Sequence, residues 1–232
     1  MTIRALLFDK DGTLVDVDRT WGPAAWDVMT DLAAGNRAHL DALISCSHYM
    51  EDERRFRASS PLLAGAPDDY ADDWAAALGQ PPDAGFRRDL SQRLGDAGLR
   101  HLTPLGALPK IFADLESHGL PIGLATNHGA GGARLQLRQL GIESYFNFVA
   151  GSDSGFGRKP APGMVLAFAA ATGLSPANIA LIGDSFHDMH AAHAAGAVAV
   201  GVASGLIPYD DLAAEADLMI ESLGDLAGLL QA

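Results

Sequence analysis

One cysteine, Cys46, stands in a chain of 232 residues. An intrachain disulfide is therefore impossible, and a zinc site built from cysteines is excluded. Positive charge is also scarce: 16 Lys and Arg against 29 Asp and Glu give a formal net charge of -13. Basic residues cluster no further than pairs such as Arg54-Arg55. That balance argues against grip on a nucleic-acid backbone, which needs a basic footprint. It also means that a phosphorylated small molecule must be met by local positive charge or a bound cation, not by the overall field. Long apolar runs are missing too. Nothing approaches the roughly 20 apolar residues of a membrane span. The first apolar run, Ile3 to Phe8, is too short for a secretory signal and has no cationic segment before it. The expectation is a cytoplasmic protein, monomer or homodimer, with neither membrane nor nucleic acid as partner.

What is present is a large stock of apolar side chains. The chain is 48% hydrophobic and only 19% charged, enough to bury a substantial core. Its length suits one large domain, or one domain with a small companion. Short apolar runs predict buried parallel strands at Arg4–Phe8, Pro121–Ala125, Phe148–Ala150, Ile179–Ile182, Val198–Val202 and Leu218–Ile220. Helical patterns separate the later runs: Leu108–Ser117, Ala133–Leu140 ending at Gly141, Pro162–Thr172 ending at Gly173, and Asp188–Ala195 ending at Gly196. Alternating strands and helices predict an α/β fold, a doubly wound, Rossmann-like parallel sheet whose site lies at the carboxyl ends of the strands. Between Val15 and about Leu99 the alternation stops. Helices are expected there over Trp21–Ala34, Arg37–Ser47, Tyr70–Leu78 and Ala84–Gly98, with a looser segment near Ser59–Asp69. The insertion predicts a helical domain over residues 16–99, beside a sheet domain made of 1–15 and 100–232.

Each sheet strand ends on a polar signature. After the first come Asp9-Lys10-Asp11-Gly12-Thr13-Leu14. Residues i and i+2 of a strand point the same way, so Asp9 and Asp11 address one small volume while Gly12 lets the chain bend away. Two close acids cannot both ionise readily unless a cation lies between them or one keeps its proton. The pair is a metal site or a nucleophile beside an acid/base; an ordinary turn also uses Asp and Gly. The second strand ends Thr126-Asn127-His128-Gly129, a hydroxyl and amides suited to phosphate oxygens, or else to a helix cap. After the third, Lys159 sits beside Pro160 and near Pro162, which stiffen the segment and fix where the ammonium points. The fourth ends Gly183-Asp184-Ser185-Phe186-His187-Asp188, with Asp184 and Asp188 four apart.

In this order, D9-K-D-G-T, Thr126-Asn127, Lys159 and G-D184-x-x-x-D188 resemble the four motifs of the haloacid dehalogenase superfamily, along the whole chain. The D-G-T-L start, the K-P-A-P segment and the place of the insertion are most similar to its phosphoglycolate-phosphatase-like members. The resemblance implies that the inserted helices form a cap, and that Asp9 is a nucleophile forming an aspartyl-phosphate. It implies that Asp11 protonates the leaving alcohol and then activates water. Thr126, Asn127 and Lys159 then bind phosphate. Mg²⁺ is held by Asp9, Asp184 and the backbone carbonyl of Asp11, with Asp188 supporting that shell. An acid at position 11 is absent from the family's dehalogenases and favours a phosphatase, with a phosphomutase as the alternative. A non-catalytic phosphate-binding module is disfavoured by the presence of all these side chains.

Weaker features complete the expectation. His187, His190 and His193 drift around a helix and read as packed or solvated, not as zinc ligands. His128 is either a plain loop residue or a reach toward substrate. Arg54, Arg55 and Arg57 lie among acids, which reads as a salt-laced face; the sharper reading gives one of them the non-reacting end of a substrate. Trp21, Trp26 and Trp74 are expected in the core of the inserted domain.

Overall fold

The structure, a computed structural model, describes residues 2–64 and 67–230. By its internal contacts the chain divides into two units, residues 1–16 with 104–232, and residues 17–103. The chain begins with β1 (Ala5–Phe8) and then enters the second unit. There it forms α1 (Val17–Ala33), α2 (Arg37–Cys46), the two-residue strands β2 (Tyr49–Met50) and β3 (Arg55–Phe56), α3 (Pro61–Ala64), α4 (Pro67–Ala77) and α5 (Ala84–Arg100). Back in the first unit follow α6 (Leu108–Glu116), β4 (Ile122–Ala125), α7 (Ala130–Gln139), β5 (Phe148–Ala150), α8 (Gly163–Thr172) and β6 (Ile179–Gly183). The chain ends with α9 (Phe186–Ala195), β7 (Val198–Val202), α10 (Tyr209–Ala213), β8 (Leu218–Ile220) and α11 (Leu226–Leu229).

The first unit is built on a six-stranded sheet of order β5-β4-β1-β6-β7-β8, with every pairing parallel. Short, continuously apolar strands such as Ala-Leu-Leu-Phe are what a parallel sheet covered on both faces requires. The pleat then divides β1 between two cores. Ala5 and Leu7 join Val165, Phe168, Leu181 and Met189 on one face. Phe8 packs its ring 5.2 Å from Phe112, which lies 5.1 Å from Phe146. Burying each such side chain contributes about 1.5–3 kcal/mol. The chain runs from β1 to one side of the sheet and later returns to the other, so β1 stands at the topological switch point where ligands bind in such sheets.

The second unit packs its helices around Met29, Leu43, Trp74, Leu90 and Leu94, with Trp21 and Trp26 partly buried against them. The Asn36 side chain caps α2 by accepting from the Ala38 N–H at 3.0 Å, and Asp83 caps α5 through the Phe86 N–H at 2.9 Å. The hairpin interrupts the helices between α2 and α3, in a stretch for which the sequence predicts no element. It pairs Tyr49 with Phe56 and Met50 with Arg55, and the Tyr49 hydroxyl donates to the Gly22 carbonyl at 2.8 Å. The looser segment also gains structure, with α3 and the start of α4 falling inside it; residues 65–66 of that segment lie outside the described residues. Helix α1 starts four residues ahead of the expected Trp21. No helix among the described residues is long and apolar enough to cross a membrane.

Candidate active site

The loop after β1 is shaped by one carbonyl. The Lys10 C=O accepts the N–H groups of Thr13, Leu14 and Val15 at 3.3, 2.8 and 3.0 Å. Gly12 completes the turn at φ +83°, a left-handed conformation that glycine adopts without steric cost. Its N–H donates to the Val15 carbonyl at 2.8 Å. The turn leaves the Asp9 and Asp11 carboxylates with different partners. Strands β4 and β6, which flank β1, bring Thr126 and Asp184 to the same end of the sheet, and the loop after β5 brings Lys159.

Lys159 is the hub of the inner cluster. Its ammonium donates to Asp9 Oδ1 at 2.5 Å and to Asp188 Oδ1 at 2.6 Å. Asn127 fixes the lysine's main chain: its side-chain NH₂ donates to the Lys159 carbonyl at 3.0 Å, and its Oδ1 accepts the Lys159 N–H at 2.9 Å. The Asn127 side chain is thus committed to aiming the lysine. The Thr126 hydroxyl accepts the His128 N–H at 3.2 Å. Asp188 is the third residue of α9, and its other oxygen accepts from the Ser185 hydroxyl at 2.6 Å and the Ser185 N–H at 3.2 Å, closing a capping box.

Asp9, Asp184 and Asp188 each present an oxygen within 4.8 Å of the others, and they form the one such group among the described residues that could hold a metal ion. All three are buried, with Asp188 fully enclosed. Burial, only partly offset by the Lys159 ammonium and reinforced by Asp188, pushes Asp9 up to about 7. Burial raises Asp184 well above the carboxylate range as well, with Asp9 and Asp188 adding to the effect. Lys159 is raised by its two carboxylates despite a larger opposing influence from burial. Ionised together, three buried acids around one ammonium would hold more negative charge than the protein's own groups neutralise; burial and this surplus together push Asp9 and Asp184 up. An all-oxygen donor set with surplus charge fits a hard divalent cation.

Asp184 is held from three directions. The Thr13 hydroxyl donates to its Oδ1 at 3.1 Å. Gly12 and Gly205 press on the carboxylate so closely that a Cβ on either would overlap it. The loop carrying Gly205 is tied down by Ser204, whose hydroxyl donates to the Gly12 carbonyl at 2.7 Å. A methyl at Gly205 meets the Asp184 Cβ as well as its carboxylate and so pushes the whole side chain aside, whereas Gly12→Ala meets the carboxylate and also strains a left-handed backbone. We therefore expect Gly205→Ala to displace Asp184 and to lose most of the rise in melting temperature expected of the parent protein in millimolar MgCl₂. An undiminished rise would show that Asp184 does not need this packing.

Asp11 belongs to a second, outer group. Lys10 donates to its Oδ1 at 2.6 Å, and His128 Nδ1 lies 3.1 Å from its Oδ2. Burial works to raise Asp11, but Lys10 and then His128 overcome it and hold the carboxyl well below its usual range. Lys10 and Thr13 lie inside the first motif but have no role assigned there, and Ser204 and Gly205 lie in none of the motifs. The remaining histidines of α9 lie elsewhere: His190 and His193 stand 3.5 Å from Glu215 and Asp217. In the second unit the Arg54 guanidinium lies 3.5 Å above the Trp26 ring, and Arg55 donates to Glu53 at 2.7 Å. Arg57 is exposed, with its N–H donated to the His48 carbonyl at 2.9 Å.

A six-stranded parallel sheet carries acids and a lysine at the ends of β1 and β6 and after β5, at the switch point of a doubly wound α/β fold. The chain matches the haloacid dehalogenase-like hydrolases over residues 3–196, and it belongs to that family. It is 34% identical over 237 residues to the phosphoglycolate phosphatase of Escherichia coli K12, covering 97% of this chain and 91% of that protein. It is 30% identical to the phosphoglycolate phosphatase of Neisseria meningitidis, covering 99% and 94%. A crystal structure of a predicted phosphoglycolate phosphatase from Haemophilus somnus shares the fold, with a TM-score of 0.73, 20% identity, and 99% and 98% of the two chains covered.

Proposed function

We propose that this protein is a Mg²⁺-dependent phosphatase of small phosphorylated metabolites, working through an aspartyl-phosphate on Asp9. The observation that carries the reading is the pair of separately partnered acids at the end of β1: Asp9 held by Lys159, Asp11 held by Lys10 and His128. This separation supports giving one acid the nucleophile's role and the other the proton's. The names of the curated relatives support the same chemistry.

Asp9, Asp184 and the Asp11 main-chain carbonyl would hold Mg²⁺, with Asp188 supporting that shell. Bound there, the ion supplies charge stabilisation for the phosphoryl oxygens and keeps Asp9 ionised. The protein's own groups carry the rest. Lys159, the Thr126 hydroxyl and the Asn127 N–H hold the transferring phosphoryl group. An Asp9 oxygen bonds to phosphorus as the bond from phosphorus to the leaving oxygen breaks, and that oxygen takes the Asp11 proton. Between turnovers Lys10 and His128 keep Asp11 ionised; the negative charge of an arriving phosphate favours its protonated form. In the second half Asp11 takes a proton from water as the water oxygen attacks phosphorus and Asp9 is released. General acid–base help of this kind contributes typically about 10²–10⁴-fold.

Specificity is assigned to the inserted unit, with Arg54, already ordered by stacking on Trp26, as the first candidate for a substrate's charged, non-reacting end. The test is phosphate release from a panel of phosphorylated hydroxy acids and sugars, with MgCl₂ and with EDTA. Release from a short charged substrate, abolished by EDTA, is expected, as is a rise in KM for that substrate, but not for p-nitrophenyl phosphate, in Arg54→Ala. EDTA-insensitive turnover would remove the metal from the mechanism. Isomerisation of a sugar phosphate without net release would favour a phosphomutase.

A further inference from the structure

We propose that Lys10 and His128 are positioning residues, a two-armed clamp that fixes the Asp11 carboxylate for proton transfer at the leaving-group oxygen. The proposal rests on the phosphatase reading and deepens it by naming two residues to which the motifs give no part in the proton transfer. Lys10 is completely buried. A buried lysine is costly unless its charge is answered, and the acid next to it, Asp11, answers it at 2.6 Å.

The clamp has two arms from different parts of the chain. One carboxylate oxygen faces Lys10 from the end of β1, and the other faces His128 from the loop after β4. A carboxylate bonded through one oxygen can still rotate; bonded through both, from two elements, it cannot turn without losing a charge-assisted contact. Both arms are anchored by main chain. The Lys10 carbonyl gathers the N–H groups of Thr13, Leu14 and Val15. His128 donates its N–H to the Thr126 hydroxyl and accepts the Ser152 N–H on its carbonyl at 2.9 Å. The two lysines thereby divide the two acids, Lys159 to the nucleophile and Lys10 to the proton carrier. A reacting group displaced by about 1 Å can lose about 10²-fold in rate, so a clamp of this kind affects turnover while touching neither phosphorus nor metal.

Leaving-group chemistry separates this role from general support of the fold. An alkoxide needs a proton as it departs; 2,4-dinitrophenolate does not. Lys10→Met, His128→Ala and Asp11→Asn are therefore compared, each with an alkyl phosphate in steady state and with 2,4-dinitrophenyl phosphate in the pre-steady-state burst. The expected result for Lys10→Met and His128→Ala is a loss of kcat on the alkyl ester about tenfold or more greater than the loss of burst rate on the aryl ester. Lys10→Arg is expected to recover part of the alkyl activity. Equal losses on both esters, or no loss on the alkyl ester, in both clamp variants would overturn the clamp. If Lys10→Met does not fold, His128→Ala, changed at a partly exposed side chain, decides alone. Asp11→Asn marks the boundary with the underlying reading: leaving-group dependence there but not in the clamp variants removes the clamp only. Its absence there removes the acid/base role and the clamp with it.

Discussion

Asp9→Asn is expected to lower kcat by about 10⁴-fold or more, the scale on which removing a covalent nucleophile acts, while leaving the metal-free protein at least as stable as before. An amide oxygen is a poor nucleophile toward phosphorus, so the aspartyl-phosphate cannot form. Stability should move the other way because Asp9 is buried and already pushed from 3.8 to about 7. For a carboxyl raised in the folded state, the stabilising contribution is complete below the unfolded value and is lost as pH rises through the folded one. The parent apoprotein should therefore lose stability between about pH 4 and pH 7 through this residue, and the Asn variant should lack that component. Thermal melts across this range, beside a kinetic assay, read both effects. Surviving turnover would reject Asp9 as the nucleophile, and an unchanged pH profile of stability would reject its burial as the source of the shift.

Lys159→Met should be the most destabilising change in the site. The ammonium is 4% exposed and answers Asp9 and Asp188 together. Removing one partner of a buried ion pair typically costs about 3–5 kcal/mol, because the other charge is left uncompensated. For a chain of this size that corresponds to a fall in Tm of roughly 6–20 °C. Three buried acids would then face one another without their cation, so millimolar MgCl₂ should restore a larger share of Tm in the variant than it adds to the parent. Activity should fall as well, by about 10²–10³-fold, as when one preorganised electrostatic contact to a transition state is lost. A variant melting with the parent would show that Lys159 does not balance the cluster.

The sequence made the sheet legible and the insertion much less so. Runs such as Ile-Gly-Leu-Ala and Val-Ala-Val-Gly-Val are apolar throughout because a parallel strand is covered on both faces, so their observed limits fall within a residue of the expected ones. The hairpin of β2 and β3 escaped because two-residue strands show no period; their antiparallel pairing and the packing of Tyr49 against Phe56, rings 5.3 Å apart, define them. In the site, Asp9, Asp184 and Lys159 could be picked out as candidates only jointly, because each follows a strand at the same end of the sheet. Lys10 could not: strand alternation turns the residue between two site acids away from them. The chain leaves β1 at Phe8, however, and the turn built on the Lys10 carbonyl returns its side chain to Asp11. Ser204 and Gly205 carry no local signature, since what matters is contact with distant parts of the chain, the Gly12 carbonyl for Ser204 and the Asp184 side chain for Gly205.

Where the chain leaves and re-enters the first unit, Val15 bridges Pro104, and the Leu105 N–H donates to the Leu14 carbonyl at 2.9 Å. The two crossings are thus stitched together by the sheet domain itself, whatever lies between them. Closing a longer segment across fixed ends costs little, about 0.6 kcal/mol for each doubling of its length. The inserted helices are in this sense a cassette. They can be lengthened, trimmed or exchanged at Asp16 and Pro104 while the acids and the lysine keep their places. Lineages could then inherit the bond-breaking machinery and the choice of molecule it acts on separately.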